Sequence, residues 1–193
     1  RYVPTIQADH WALTVDGLIA IPRYFDLDAI TALPADDITC TVACGHANNT
    51  PLFDTATWRG TAFRTLIDHV AMLPAAKYAL FQSVDGYTTH LALDQLESAI
   101  LAYGMDDAPL PADHGAPLRL IAPGSAGYKM PKWVSRITFA AIPNSGTWES
   151  RGYDLRGTLS PMVRFDAPQQ ESGDVVLSGA AYGGERSIVR VEI

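Results

Sequence analysis

Apolar and polar positions alternate along residues 11–17 (Trp-Ala-Leu-Thr-Val-Asp-Gly), and the run closes on Asp16-Gly17, so the chain opens with a strand and a turn. Phe25, Leu27, Ile30 and Leu33 recur at near-helical spacing between Pro22 and Pro34, which predicts a short helix with Asp26 and Asp28 early in it. Residues 38–45 (Ile-Thr-Cys-Thr-Val-Ala-Cys-Gly) are β-branched and apolar, the mark of a buried strand that ends at a glycine. A polar loop follows over 46–57. Phe63, Leu66, Ile67 and Val70 restore the helical period up to Pro74. Strands at 77–82 and 88–93 flank the Asp85-Gly86 turn, and 93–103 reads as a helix stopped by Gly104. Residues 118–122 and 134–142 are strands again. Beyond Pro143 glycines and prolines recur without a helical period, and 175–177 and 187–193 are strand candidates around the turn Tyr182-Gly183-Gly184. Short helices mixed with strands make an α+β fold: a main domain over 1–160 and a β-rich tail over 161–193.

Composition narrows the function classes. The 193 residues suffice for one sizeable core, and 48% hydrophobic with 18% charged residues describes an ordinary folded chain. A net charge of −7 argues against nucleic acid as the partner. No stretch has the length or apolarity of a membrane-spanning helix, and no signal peptide is visible.

The two cysteines, Cys40 and Cys44, share one strand. Four residues apart in extended chain, their Cα atoms lie about 13 Å from each other, beyond the ~7 Å that a disulfide tolerates. Two free thiols are expected. Buried core packing suits both, but Cys44 falls at the strand end beside Gly45, where a thiolate can hold a soft metal. A second chemical stretch spans 114–133. It gathers His114, Arg119, Lys129 and Lys132 among glycines and prolines in an otherwise acidic chain. Glycine N–H groups can approach an anion, and arginine grips phosphate through two parallel hydrogen bonds. The plainer reading is a turn-rich loop with solvated lysines. Arg119, however, sits inside the apolar run Pro-Leu-Arg-Leu-Ile, where an arginine calls for an anionic partner.

Several motifs occur in a telling order. They are Thr-Val-Ala before Cys44, Trp58-Arg-Gly, Ser83-Val-Asp-Gly-Tyr, Leu110-Pro-Ala-Asp-His-Gly-Ala-Pro-Leu-Arg, Pro123-Gly-x-x-Gly-Tyr-Lys and Lys132-Trp133, flanked by Val15-Asp-Gly and Trp148-Glu-Ser-Arg-Gly-Tyr. Together they resemble the molybdopterin-binding domain of the sulfite oxidase family, from about residue 11 to 155, and the tail resembles the opening of that family's immunoglobulin-like domain. The resemblance implies a sulfite-oxidase-type fold of mixed sheets and a molybdenum-molybdopterin cofactor. It makes Cys44 the metal's thiolate ligand and the catalytic centre. It puts His114 and Arg119 on the pterin phosphate, Gly127, Tyr128 and Lys129 in the loop around it, and Ser83 as a cofactor-contacting hydroxyl. The implied reaction is oxygen-atom transfer on a small substrate of sulfite or sulfoxide type. Electrons would go to a separate carrier such as a cytochrome or membrane subunit. An extracytoplasmic setting, periplasmic or membrane-tethered, is implied as well. So is a monomer, because the tail is too short for a sandwich of about 100 residues. After Cys44 the chain runs Gly-His-Ala-Asn-Asn, where the family often has Ala-Gly-Asn and basic residues. A cationic sulfite pocket is therefore not implied, and His46 adds charge only below its pKa.

Three other readings stand beside this one. Cys40, Cys44 and His46 are zinc-type ligands at poor spacing for a tetrahedral site. Cys44 with His114 or His90 is the minimum for a Cys–His hydrolase. A cofactor-free binding or assembly module on the same fold is the third.

Overall fold

The computed structural model describes residues 2–47, 50–166, 168–171, 174–184 and 186–192, and for 45–47, 50, 51, 170 and 171 the backbone alone. The side chain of His46 therefore lies outside the described residues. In chain order the strands are β1 (Ala12–Gly17), β2 (Arg23–Asp26), β3 (Ala35–Ala47), β4 (Thr50–Ala62), β5 (Tyr78–Ser83), β6 (Thr88–Ala92), β7 (Ile100–Met105), β8 (Ala108–Pro109), β9 (Arg119–Ile121), β10 (Val134–Ala140), β11 (Met162–Phe165), β12 (Gln169–Glu171), β13 (Asp174–Val176) and β14 (Gly179–Tyr182). Two helices join them, α1 (Leu27–Thr31) and α2 (Phe63–Val70). None of the described helices is long and apolar enough to cross a membrane.

One large sheet has the order β2-β1-β10-β5-β6 and a second β3-β4-β7-β8 with β9 also on β7, while β11-β14 and β12-β13 form two-stranded sheets. Among the described residues only β1 and β10 pair in parallel; the pairing puts Val15 beside Ile137. The core lies where the apolar faces meet. Leu13, Val15, Phe81, Ile137 and Phe139 from the first sheet and Leu101, Leu120 and Ile121 from the second are all but sealed from solvent. Phe63, on the apolar stripe of α2 with Leu66 and Val70, joins them with its ring 5.9 Å from Phe81 and 6.2 Å from Phe139. Phe63-type burial is the main source of stability here, each such ring being worth several kcal/mol on truncation.

Four sequence expectations need correction. The helix of 22–34 shrinks to α1, because Arg23–Asp26 pairs with β1 and Asp26 then caps the helix by accepting from the Ala29 N–H at 2.7 Å. The helix of 93–103 is a single tight turn, Leu93–Leu96, followed by β7. Ile100, Leu101 and Ala102 are buried on both faces between β4 and β9, and such an apolar run fits a central strand as well as a helix. The loop of 46–57 is mostly strand. Its threonines pair hydroxyl to hydroxyl across the β3–β4 hairpin, Thr41 to Thr55 at 2.6 Å and Thr39 to Thr57 at 3.4 Å, so polar side chains served a sheet surface. In the tail β13 overlaps the expected strand 175–177 without Leu177, but the described part of 187–193 forms no strand; β11 pairs with β14 instead. The tail lies against the long hairpin, with Phe53 6.2 Å from the Tyr182 ring and the Arg164 guanidinium 5.4 Å from Phe53.

Candidate functional site

The end of β3, the start of β9 and the loop between β9 and β10 border a pocket of about 960 Å³. The segment that crosses Trp148 and Tyr153 and reaches Met162 closes its other side. Cys44 lines this pocket and is exposed, whereas Cys40 is buried. Burial pushes the Cys40 thiol up to about 11, so it stays protonated, and its carbonyl accepts the Trp58 indole N–H at 3.2 Å. The strand runs out past the core, and the two cysteines part company there.

Arg119 forms the floor. It is 3% exposed, yet it lines the pocket. One guanidinium N–H donates to the His114 carbonyl at 2.8 Å, the group stacks 4.6 Å over the Trp58 ring, and the Nε is buried without an acceptor. No carboxylate pairs with it among the described residues. Burial pulls its pKa down to about 10, which leaves it cationic at neutral pH. A buried cation without a counter-ion is costly, and the pocket is where an anion can meet it.

The loop beside Cys44 is held on three sides. Gly127–Lys129 makes one tight turn. The Tyr87 hydroxyl donates to the Tyr128 carbonyl at 2.5 Å, the Tyr128 hydroxyl donates to the Asp154 carbonyl at 2.6 Å, and the Ala126 N–H donates to the Gly157 carbonyl at 2.7 Å. Burial raises the Tyr128 phenol to about 12, so it remains a donor. Gly127 lies so near β3 that a Cβ there would stand 3.0 Å from the Ala43 carbonyl oxygen. The N–H groups of Gly127 and Tyr128 have no acceptor among the described residues, while those of Lys129 and Met130 are bonded back into the turn.

Of the residues singled out from sequence, Cys44, Arg119, Gly127, Tyr128 and Lys132 meet at the pocket. Ser83, His114 and Lys129 are not among the lining residues. Ser83 is buried, with an Oγ that lacks a partner, next to the Val84 N–H bonded to the Trp133 carbonyl at 2.9 Å. His114 is half-buried and offers Arg119 its carbonyl. Lys129, expected in the loop around the phosphate, has its ammonium fully buried and ion-paired to Glu149 at 2.6 Å, so the turn reaches the pocket through its backbone. Sequence reasoning missed Trp58 as the shelf under Arg119 and the wall of Trp133, Trp148 and Tyr153. The flanking Trp148-to-Tyr153 motif was the available signal for that wall. Among the described residues no three His, Cys, Asp or Glu side chains gather as a metal site, and burial of Cys40 in the core removes one ligand from the zinc reading.

The profile of the oxidoreductase molybdopterin binding domain family matches residues 1–148. An uncharacterized oxidoreductase of Bacillus subtilis (strain 168), YuiH, is 30% identical over 161 residues, 80% of this chain and 78% of that protein. Mitochondrial sulfite oxidases of Drosophila melanogaster and Homo sapiens are 27% and 25% identical over 99% of this chain, which spans only 42% and 44% of their lengths. The sulfane dehydrogenase SoxCD from Paracoccus pantotrophus superposes with a TM-score of 0.76 at 17% identity, over 84% of this chain and 49% of that one. The architecture is thus the sulfite-oxidase-type α+β fold.

Proposed function

The chain belongs to the oxidoreductase molybdopterin-binding domain family, and from that premise we propose that it holds a molybdenum-molybdopterin cofactor in the pocket beside Cys44 and serves oxygen-atom transfer on a small substrate of sulfite or sulfoxide type. The observation that carries this reading is the pairing, across one pocket, of an exposed thiol with a buried arginine that has no carboxylate partner among the described residues. The residues fit the group. A soft thiolate suits molybdenum, and the Arg119 Nε and the Gly127 and Tyr128 N–H groups, which find no acceptor among the described residues, are donors of the kind a phosphate needs. When bound, the cofactor supplies the oxygen-atom transfer and releases its electrons singly. Cys44 would ligate the metal, Arg119 and the 127–128 backbone would hold the phosphate end, and the aromatic wall of Trp133, Trp148 and Tyr153 would exclude water. Ser83 and His114, as placed, would act from behind that layer. The domains run 1–160 and 161–193, the chain is a monomer, and a separate electron carrier such as a cytochrome or membrane subunit collects the electrons in an extracytoplasmic setting. The test is metal analysis on protein freshly purified from a host that makes the cofactor. Molybdenum at about one per chain supports the reading; zinc, or no metal, overturns it.

A further inference from the structure

Beneath the pocket loop lies a sealed polar cluster that the proposed chemistry does not use. The Lys129 ammonium, with no solvent exposure, donates to Glu149 Oε1 at 2.6 Å and to the His90 carbonyl at 2.8 Å. Glu149 Oε1 also accepts from the Thr89 hydroxyl at 2.6 Å, and its Oε2 has no hydrogen-bond partner among the described residues. Thr89 and His90 belong to β6; Glu149 opens the tight turn Glu149–Arg151 that follows Trp148 of the pocket wall. The ion pair therefore ties the pocket loop to both. On its other face the same loop rests on β3, with Gly127 packed against the Ala43 carbonyl one residue before Cys44.

A buried ion pair with one oxygen left over is a poor way to gain stability, since well-packed apolar side chains usually do as well. It is a good way to set a position, because a buried ammonium must keep the acceptors that satisfy its N–H groups. We infer that Glu149 is a positioning residue for the pocket. Through the Lys129 ammonium it sets the height of the Gly127–Tyr128 backbone over the Cys44 strand, so that the two unbonded N–H groups present themselves to an anion bound above Arg119. The inference rests on the proposed reading of that pocket as the cofactor site.

Hydrogen exchange on the full chain tests it, together with molybdenum content and thermal midpoint. In Glu149→Gln the bonded amides of Ala126, Lys129 and Met130 should exchange roughly a hundredfold faster or more, the scale on which a buried ion acts when its partner is removed. Amides of β10 should keep their protection. The double variant Lys129→Met with Glu149→Leu removes both charges. It should regain the thermal midpoint of the metal-free parent chain while the loop amides stay fast and the molybdenum content stays low. Loop amides as slow as in the parent chain, in either variant, overturn the inference. So does a double variant that regains molybdenum along with its midpoint, because the pair would then be packing alone. If Glu149→Gln does not fold, the double variant decides by the same criteria. If the parent chain binds no molybdenum, the functional reading fails by itself. The exchange data, which need no cofactor, still decide whether Glu149 sets the loop.

Discussion

Cys40 and Cys44 sit four positions apart on one strand and differ in one physical respect, whether the core covers them. Cys44→Ser should therefore lose the molybdenum and match the thermal midpoint of the metal-free parent chain. Cys40→Ser should keep the metal and lower stability by about 1–3 kcal/mol, because a hydroxyl would be buried there in place of a thiol. The opposite pattern in metal content and urea unfolding would reverse the assignment. Arg119 invites a similar contrast. Arg119→Ala should cut cofactor affinity about ten- to a hundredfold, the worth of one charge-assisted bond at ~1.5–3 kcal/mol. Arg119→Lys should recover little, since an ammonium neither forks nor stacks flat on Trp58. Lys77→Ala, far from the pocket, is the control, and equal molybdenum in all three variants would remove Arg119 from the site. The sequence marked Arg119 by its place in an apolar run. It marked Lys129 by its charge and by the Gly-Tyr-Lys motif, and neither reveals that Glu149, twenty residues on, has taken that charge out of reach.

At the scale of elements, the β3–β4 hairpin delivers Cys44, and its grip on β7 depends on close backbone approach. A Cβ on Gly60 would stand 2.3 Å from the Leu101 carbonyl oxygen. Gly60→Ala is expected to destabilise by about 1–3 kcal/mol, since backbone must shift to make room. The check is a lower urea midpoint with an unchanged slope. The elements that sequence reading missed share one cause. Strand β7 and the start of β4 carry patterns that a helix or a loop fits equally well, and only the neighbours decide: β9 and β4 cover Ile100 to Ala102, and β3 supplies threonines for Thr55 and Thr57. Helix α2, whose apolar stripe is long and regular, was legible without them.

For the whole molecule, acid stability reports on the buried cluster. Burial first and the Lys129 ammonium second hold His90 below its ordinary 6.5, with Glu149 and Asn144 opposing and the Tyr78 ring edge-on at 5.9 Å. As pH falls through about 6.5 the unfolded chain takes up a proton that the folded chain refuses, so folding stability must decline there. Burial alone would raise the Glu149 carboxyl, but the bonds from Lys129 and Thr89 outweigh it and hold the group below 4.5. Its contribution is present above 4.5 and is lost below it as the carboxylate takes up a proton. His90→Gln should flatten the decline that begins near pH 6.5 and leave the one below 4.5; a profile unchanged by the substitution would mean that another group titrates.

Local composition and order were enough for the α+β class, for most strands of the β2-β1-β10-β5-β6 sheet, for free thiols, and for Cys44 and Arg119 as the residues to watch. Each of these follows from neighbours within a few positions along the chain. The partner of Lys129, the Trp58 shelf under Arg119 and the strand state of 100–105 were decided by tertiary structure. They depend on which groups arrive from twenty to sixty residues away to share a space closed to water, and a buried charge or strand is defined by what covers it.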